Sequence, residues 1–171
     1  MQLTLPRGAT PTDPFRSLGS RLNDLFGPLI LAITTAMATS FKLQLMTATH
    51  NFTTGGHAFN LALYDATATM DATTTVYAAA NEVSGTGYAA GGKTLVNITP
   101  TSSGTTAFAD FDDLVWTGAT FTARGALIFN TSAANKAVAT FDFGSNIPVV
   151  SGNFTLTFPT ANATLAVLRI A

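Results

Sequence analysis

A glycine-rich run near the middle of the chain carries the pattern with the clearest potential for chemistry. From Gly87 to Thr94 it matches G-x-x-x-x-G-K-[ST], the P-loop pattern that cradles phosphates. A P-loop needs a buried apolar strand before it and a helix N-terminus after it. Here residues 75–82 carry polar side chains, and residues 95–101 alternate and contain a proline, which predicts a strand. We therefore predict a turn region and no nucleotide site.

Two histidines are the next residues with chemical potential. His50 and His57 are the only histidines of the chain, and six residues lie between them. A zinc site needs further ligands in a fixed geometry, and the neighbouring sequence offers none. The pattern therefore favours packing or hydrogen-bonding histidines over metal ligands.

A short acidic cluster follows at Asp110, Asp112 and Asp113. In a strand, Asp110 and Asp112 would share one face, so the pair could share a cation. An oxygen-only calcium site uses about six or more ligands, and the spacing lacks the EF-hand glycine and glutamate. The cluster also has no acidic mate across a cleft for glycoside hydrolysis. We interpret it as a solvated strand face.

The remaining catalytic signatures are missing from the sequence. The chain has no cysteine, which excludes a thiolate nucleophile or a cysteine metal site, and it has no G-x-S-x-G elbow. We therefore predict a protein without enzymatic activity, cofactor or metal ion.

Composition points towards strands and protein neighbours. Only 10% of the 171 residues are charged against 47% hydrophobic, so threonine, serine, asparagine and glycine must supply the polar surface. The net charge of −1 and the scattered basic residues argue against nucleic acid as a partner. A surface this poor in charge favours contacts with other proteins.

The elements that would position these residues are mostly strands. Residues 37–52 allow one short helix with Phe41, Leu45 and Met46 facing inward. After Gly55 the period becomes two, beginning with a half-buried strand at residues 59–64. The predicted strands that follow are 75–83, 94–99, 106–116, 120–130, 137–143, 153–158 and 164–170.

About eight strands at this spacing predict a mainly β fold, an antiparallel β-sandwich or jelly-roll-like domain. Turn signals separate the strands, among them residues 117–118 and 144–146. Gly125, inside a regular strand, predicts a β-bulge.

The first 36 residues differ from the rest, so we divide the chain into an extension, residues 1–36, and a single domain, residues 37–171. The apolar stretch 25–41 is short for a membrane span and is interrupted by Pro28. Residues 36–38 fit a signal-peptide cleavage site, and Met37 fits an internal translation start. The extension is therefore untranslated, a signal or a flexible arm, and we rank the internal start first.

Several short phrases of the domain follow one another in a characteristic order: Phe41–Lys42, Thr49–Thr54, Phe59–Tyr64, Asn81–Tyr88, Gly91–Thr94, Phe111–Asp113, Trp116, Thr122–Ala126, Phe141–Gly144 and Leu168–Ala171. In this order they resemble a family of small β-rich proteins encoded by tailed bacteriophages. The resemblance covers about residues 37–171. It implies a virion structural protein without enzymatic activity.

From the resemblance we expect a capsid decoration or cement protein, located in the virion. Its expected partners are the major capsid protein or neck and tail proteins, together with further copies of itself, and neither nucleic acid nor membrane. One alternative is a neck, tail or fibre-base component. The other is a carbohydrate- or receptor-binding module, which would need an exposed aromatic among Tyr64, Tyr77, Tyr88 and Trp116.

Overall fold

The computed structural model describes residues 32–171, which form a mainly β, sandwich-like unit with antiparallel sheets. This confirms the predicted fold class. The described residues contain one α-helix, one short 3₁₀ helix at Thr131–Ala133 and eight strands. Their bounds are β1 Ala36–Met37, α1 Thr39–Met46, β2 Phe59–Tyr64, β3 Lys93–Leu95, β4 Asn97–Ser103, β5 Thr106–Phe111, β6 Leu114–Asn130, β7 Lys136–Leu156 and β8 Leu168–Ile170.

The strands form a large sheet in the order β1-β7-β6-β2-β3 and a small sheet in the order β4-β5-β8. The long β6–β7 hairpin is the centre of the large sheet. Its two strands are longer than predicted, because residues 117–118 and 144–146, predicted as turns, lie at register shifts within it. Residues 144–146 belong to the register shift between Ala123 and Gly125, next to the predicted bulge. The additional residues of this shift lie on β7, opposite Ala123 to Gly125.

Two of the predicted strands are divided between the sheets. The stretch 94–99 contributes to β3 in the large sheet and to β4 in the small sheet. The stretch 106–116 is likewise split into β5 and the start of β6. In both places the chain passes from one sheet to the other within two residues, and no glycine or proline marks the crossing.

Strand β2 is buried on both faces, so its prediction as a half-buried strand was wrong. One face packs on the aromatic core, where Phe59 stacks on Phe52 with 4.5 Å between ring centroids. The opposite face is covered by the loop of residues 65–92, which hydrogen-bonds to the side chains of Asn60 and Tyr64. The loop therefore acts as a second layer over the sheet.

The same loop overturns the strand predicted at residues 75–83. Only isolated bridges occur in that stretch, Val76 with Lys136 and Glu82 with Tyr64. Its tyrosine and glutamate side chains bind to one another, and no continuous ladder forms.

Helix α1 buries Phe41, as predicted, and half-buries Leu45, but Met46 is 87% exposed. The helix ends at Met46, and this last residue lies beside Lys42 near the end of β8. The inward orientation predicted for Met46 was wrong.

Residues just upstream of Met37 also belong to this unit. Ile33 is buried beside Gly125, and Ala36 pairs with Thr140 of β7. Residues 1–31 lie outside the described part, so the three interpretations of the extension stay predictions. Within residues 32–171, no helix has the length and apolar character needed to cross a membrane.

Candidate functional site

The glycine-rich run is a tightly packed turn region whose glycines have backbone roles. Gly92 lies against the backbone of β2 with a φ of 69°, and a Cβ there would overlap the Leu61 carbonyl oxygen. A Cβ at Gly85 would overlap the Thr120 carbonyl oxygen of β6 in the same way. Both approaches are possible only for a residue without a side chain. The prediction of a turn region is confirmed.

Lys93, the lysine of the P-loop pattern, lies at the start of strand β3 rather than at a helix N-terminus. Its ammonium group donates to the Val115 carbonyl oxygen and lies 5.5 Å from the centroid of the Trp116 ring. Lys93 therefore links β3 to β6 through a hydrogen bond and a cation–π contact. Strand β3 takes the place of the helix that a P-loop requires.

Glu82 accepts hydrogen bonds from several residues of the loop, and this role was not predicted from the sequence. The hydroxyls of Tyr77 and Tyr88 donate to its two carboxylate oxygens, each at 2.6 Å, and the Gly91 amide donates to one of them at 2.8 Å. The Tyr88 hydroxyl also accepts from the Leu63 amide of β2 at 2.8 Å. The sequence signal that could have indicated this role is a glutamate with a tyrosine five residues before it and another six residues after it, next to the glycine-rich run.

Both loop tyrosines are held in their protonated form. Burial, followed by the Glu82 hydrogen bond and charge, raises the pKa of Tyr77 to about 12. Burial and the Glu82 hydrogen bond also raise the pKa of Tyr88. The Glu82 carboxylate is therefore engaged as a structural acceptor for two neutral hydroxyls.

None of the four aromatic residues considered for a sugar platform is exposed. Trp116 and Tyr64 are buried, while Tyr77 and Tyr88 are half-buried. Tyr77 stacks on Phe129 at 4.5 Å and Tyr88 on Trp116 at 6.2 Å, measured between ring centroids. These four residues therefore form no open aromatic surface in the described unit.

Both histidine side chains lie within hydrogen-bonding distance of the buried Asn130 side chain. Nδ2 of Asn130 lies 2.8 Å from Nδ1 of His50 and 3.0 Å from Nδ1 of His57. Nε2 of His50 lies 2.7 Å from the Gln44 side-chain oxygen. Because Gln44 offers an acceptor there, Nε2 of His50 carries the proton, and Nδ1 accepts from the Asn130 amide.

Burial, followed by the charges of His57 and Lys136, lowers the pKa of His50 to about 4. This histidine is therefore neutral near pH 7. Among residues 32–171, no group of three or more histidine, aspartate or glutamate side chains could hold a metal ion. The interpretation of the histidines as hydrogen-bonding residues is confirmed.

The acidic cluster is divided by the fold. Strand β5 ends at Phe111, so Asp112 and Asp113 are exposed in the connection between β5 and β6, and the Asp113 carboxylate accepts from the Phe158 amide at 2.8 Å. Asp110 is only 5% exposed, and its Oδ1 has no hydrogen-bond partner among the described residues. The interpretation as a solvated strand face was therefore wrong for Asp110.

The electrostatics of Asp110 follow from this burial. Loss of solvent raises the pKa of its carboxyl, a hydrogen bond from the Phe111 backbone opposes that rise, and repulsion by the carboxylates of Asp113 and Asp112 adds to it. No lysine, arginine or histidine in the described part of the chain forms an ion pair with any of the three aspartates. Asp110 lines an open groove together with Ile98 and Phe158.

An apolar cavity of about 190 Å³ lies between α1 and the small sheet. Phe41 and Leu45 line it from the helix, Ala107 and Ala109 from β5, and Ile170 from β8. A neighbouring groove shares Leu45 and Ile170, and it extends past the side chains of Met46, Lys42 and Arg169. Sequence reasoning missed this arrangement, because its residues come from three distant segments.

Comparisons of the chain with protein-family models, with curated proteins and with solved structures find no match. The resemblance to tailed-phage proteins therefore stays a prediction that rests on the residues that carry it.

Proposed function

We propose that this chain is a non-enzymatic structural protein of a tailed-phage particle, a capsid decoration or cement protein whose role is protein–protein contact. The identification with phages rests on the resemblance alone. The chemistry of the surface supports an assembly role independently.

The observation that carries this proposal is the surface formed by the small sheet and α1, which contains several partly filled grooves. Met46 and Ile170 are exposed beside an apolar cavity, and Ile98 is exposed beside the buried Asp110. Exposed apolar side chains around incompletely filled grooves are typical of surfaces that a partner covers. Apolar contact would supply most of the affinity, so attachment to capsids is expected to survive high salt.

The carbohydrate-binding alternative has no comparable support, because the four aromatic residues that it needs are buried or half-buried. A neck, tail or fibre-base component would use the same surface of the small sheet and α1, but would be present in a different number of copies. The two structural roles therefore differ in stoichiometry.

Quantitative mass spectrometry of purified particles of a phage that encodes this chain tests the proposal. We expect copies on the scale of the major capsid protein, retained after a high-salt wash. A few copies for each particle would instead indicate a neck, tail or fibre-base position. Absence of the chain from particles would overturn the proposal.

A further inference from the structure

The small sheet and α1 carry two surfaces of opposite charge. The basic ridge is the set of exposed side chains Lys42, Met46, Arg169 and Ile170, which border the groove between α1 and β8. The acidic groove consists of Ile98, Asp110, Asp112, Asp113 and Phe158. Each surface combines apolar side chains with charges of one sign.

The two surfaces are separate patches of the molecule, because they share no lining residue. The ridge is bordered by α1 and β8, and the groove by β4, β5 and residues 157–161. Arg169 pairs with Phe108 of β5 and lies on the face of the small sheet that carries Asp110, whereas Ile170 pairs with Ala107 and lies on the other face. One molecule can therefore use the ridge and the groove in two different contacts.

The acidic groove lacks a counter-charge within the described part of the chain. Asp110 is nearly fully buried, and one of its carboxylate oxygens has no hydrogen-bond partner there. Leaving a buried carboxylate unpaired is costly, and a cation delivered by another molecule would relieve the cost.

Most of the other described basic side chains are engaged or lie elsewhere. Lys93 donates to Val115, Arg124 pairs with Asp142, and Arg169 donates to the Ala163 carbonyl oxygen. Lys136 lies at the start of β7 in the large sheet, where it pairs with Asn130.

The basic ridge offers the cation of Lys42, which is not paired within residues 32–171. Its ammonium group forms no hydrogen bond or ion pair with the described residues. It lies one helical turn from the exposed Met46. Lysine and methionine thus form a basic and apolar pair that matches the acidic groove in both charge and polarity.

We infer that the basic ridge of one copy docks into the acidic groove of a second copy, which gives a head-to-tail contact between identical chains. Apolar packing supplies most of the affinity, and the charges fix the register. Because the two surfaces differ, the contact is heterologous, so repeated docking gives a ring or an open chain. The biological meaning of this contact rests on the proposed function, whereas the contact itself is a property of the purified protein.

Two variants with exposed substitutions test the contact. The ridge variant carries Lys42→Glu and Met46→Glu, and the groove variant carries Ile98→Lys and Asp112→Lys. The matched controls are Leu43→Glu, at an exposed position of α1 outside the ridge, and Val150→Lys, at an exposed position of β7. Circular dichroism and thermal melts establish that every variant folds.

Sedimentation velocity over a concentration series gives the decisive readout. We expect the wild type and both controls to associate, and each double variant to associate about tenfold or more weakly, since like charges then face each other. An equal mixture of ridge and groove variants should associate again, because the intact ridge of the groove variant fits the intact groove of the ridge variant, and the two charge-reversed surfaces are also complementary.

Three results would overturn the inference: a wild type that stays monomeric, double variants that associate as the wild type does, or a mixture that does not associate. These outcomes are separate from those of the proposed function. A monomeric wild type that is abundant in particles defeats only the head-to-tail contact. A self-associating chain that is absent from particles defeats only the virion role.

Discussion

Two acidic side chains, Glu82 and Asp110, show how differently two regions of this molecule are built. Glu82 receives two tyrosine hydroxyls and a backbone amide, all within 2.8 Å. Glu82 is half-buried, whereas Asp110 is almost fully shielded from solvent, yet one oxygen of Asp110 has no partner among the described residues. The loop around Glu82 is complete within one chain, whereas the small sheet around Asp110 leaves a polar group unsatisfied.

The difference separates contributions to stability from contributions to association. A half-buried carboxylate that accepts several hydrogen bonds holds a loop in one conformation and stabilises the fold. A buried carboxylate with an unsatisfied oxygen and no cationic partner reduces stability, and its retention is easier to understand where another molecule supplies the cation. Substitutions in the loop are therefore expected to destabilise the fold, and substitutions at the small sheet to alter association.

The largest effect is expected where the loop touches β2. Gly92→Ala places a Cβ on the Leu61 carbonyl oxygen at a φ of 69°. We expect it to lower the free energy of unfolding by at least about 3 kcal/mol. Gly91→Ala is the matched control, because its φ is 85° but no atom lies within 4 Å of the added Cβ, and there we expect a loss of about 1 kcal/mol. Urea unfolding measures both losses, and equal values would show that the close approach is unimportant.

The next effect concerns the carboxylate of the loop. Glu82→Gln replaces one acceptor oxygen by an amide group, which leaves a tyrosine hydroxyl or the Gly91 amide without its partner. We expect a loss of about 1–3 kcal/mol in urea unfolding. The control Asp112→Asn, an exposed substitution, should remain within about 0.5 kcal/mol of the wild type. A Glu82 variant as stable as the wild type would remove the contrast between the two regions.

Asp110→Asn should act in the opposite direction and stabilise the isolated protein by about 1 kcal/mol near pH 7, because it removes a buried, unpaired charge. Folding raises the pKa of Asp110, so the folded state binds this proton more tightly than the unfolded state. Wild-type stability therefore decreases as pH rises from the unfolded to the folded pKa of this group, and the variant lacks that decrease. Urea unfolding at several pH values measures the difference. A less stable variant would mean that the carboxylate has a stabilising partner.

The smallest effect is expected at Lys93, which joins the loop region to β6. Lys93→Met removes the hydrogen bond to Val115 and the contact with Trp116, and we expect a loss of at most about 1 kcal/mol. Mg-ATP should leave the melting temperature of both proteins unchanged. A nucleotide-dependent shift in the wild type that disappears in the variant would reinstate the P-loop interpretation.

Local patterns account for the parts of the fold that can be predicted from the sequence. Alternation identifies residues 59–64 as a strand, and turn residues identify the glycine-rich run. The burial of that strand on both faces depends on a loop whose contacts are set by Glu82, and alternation alone carries no information about it. The cluster at Asp110 shows the same limit, since its burial depends on residues 157–161, which are distant in the sequence.

Hydrogen–deuterium exchange is measured on the chain free at low concentration and then in purified particles. It distinguishes a region that a partner covers from a region whose polar groups are satisfied within a single chain. We expect assembly to protect peptides covering residues 41–46, 96–101, 108–114 and 157–171. Peptides covering residues 77–92 of the loop should exchange equally in both states, because the Glu82 carboxylate already has its partners. Protection confined to the loop, or no protection at the small sheet, would contradict the assignment of the small sheet and α1 as the assembly surface.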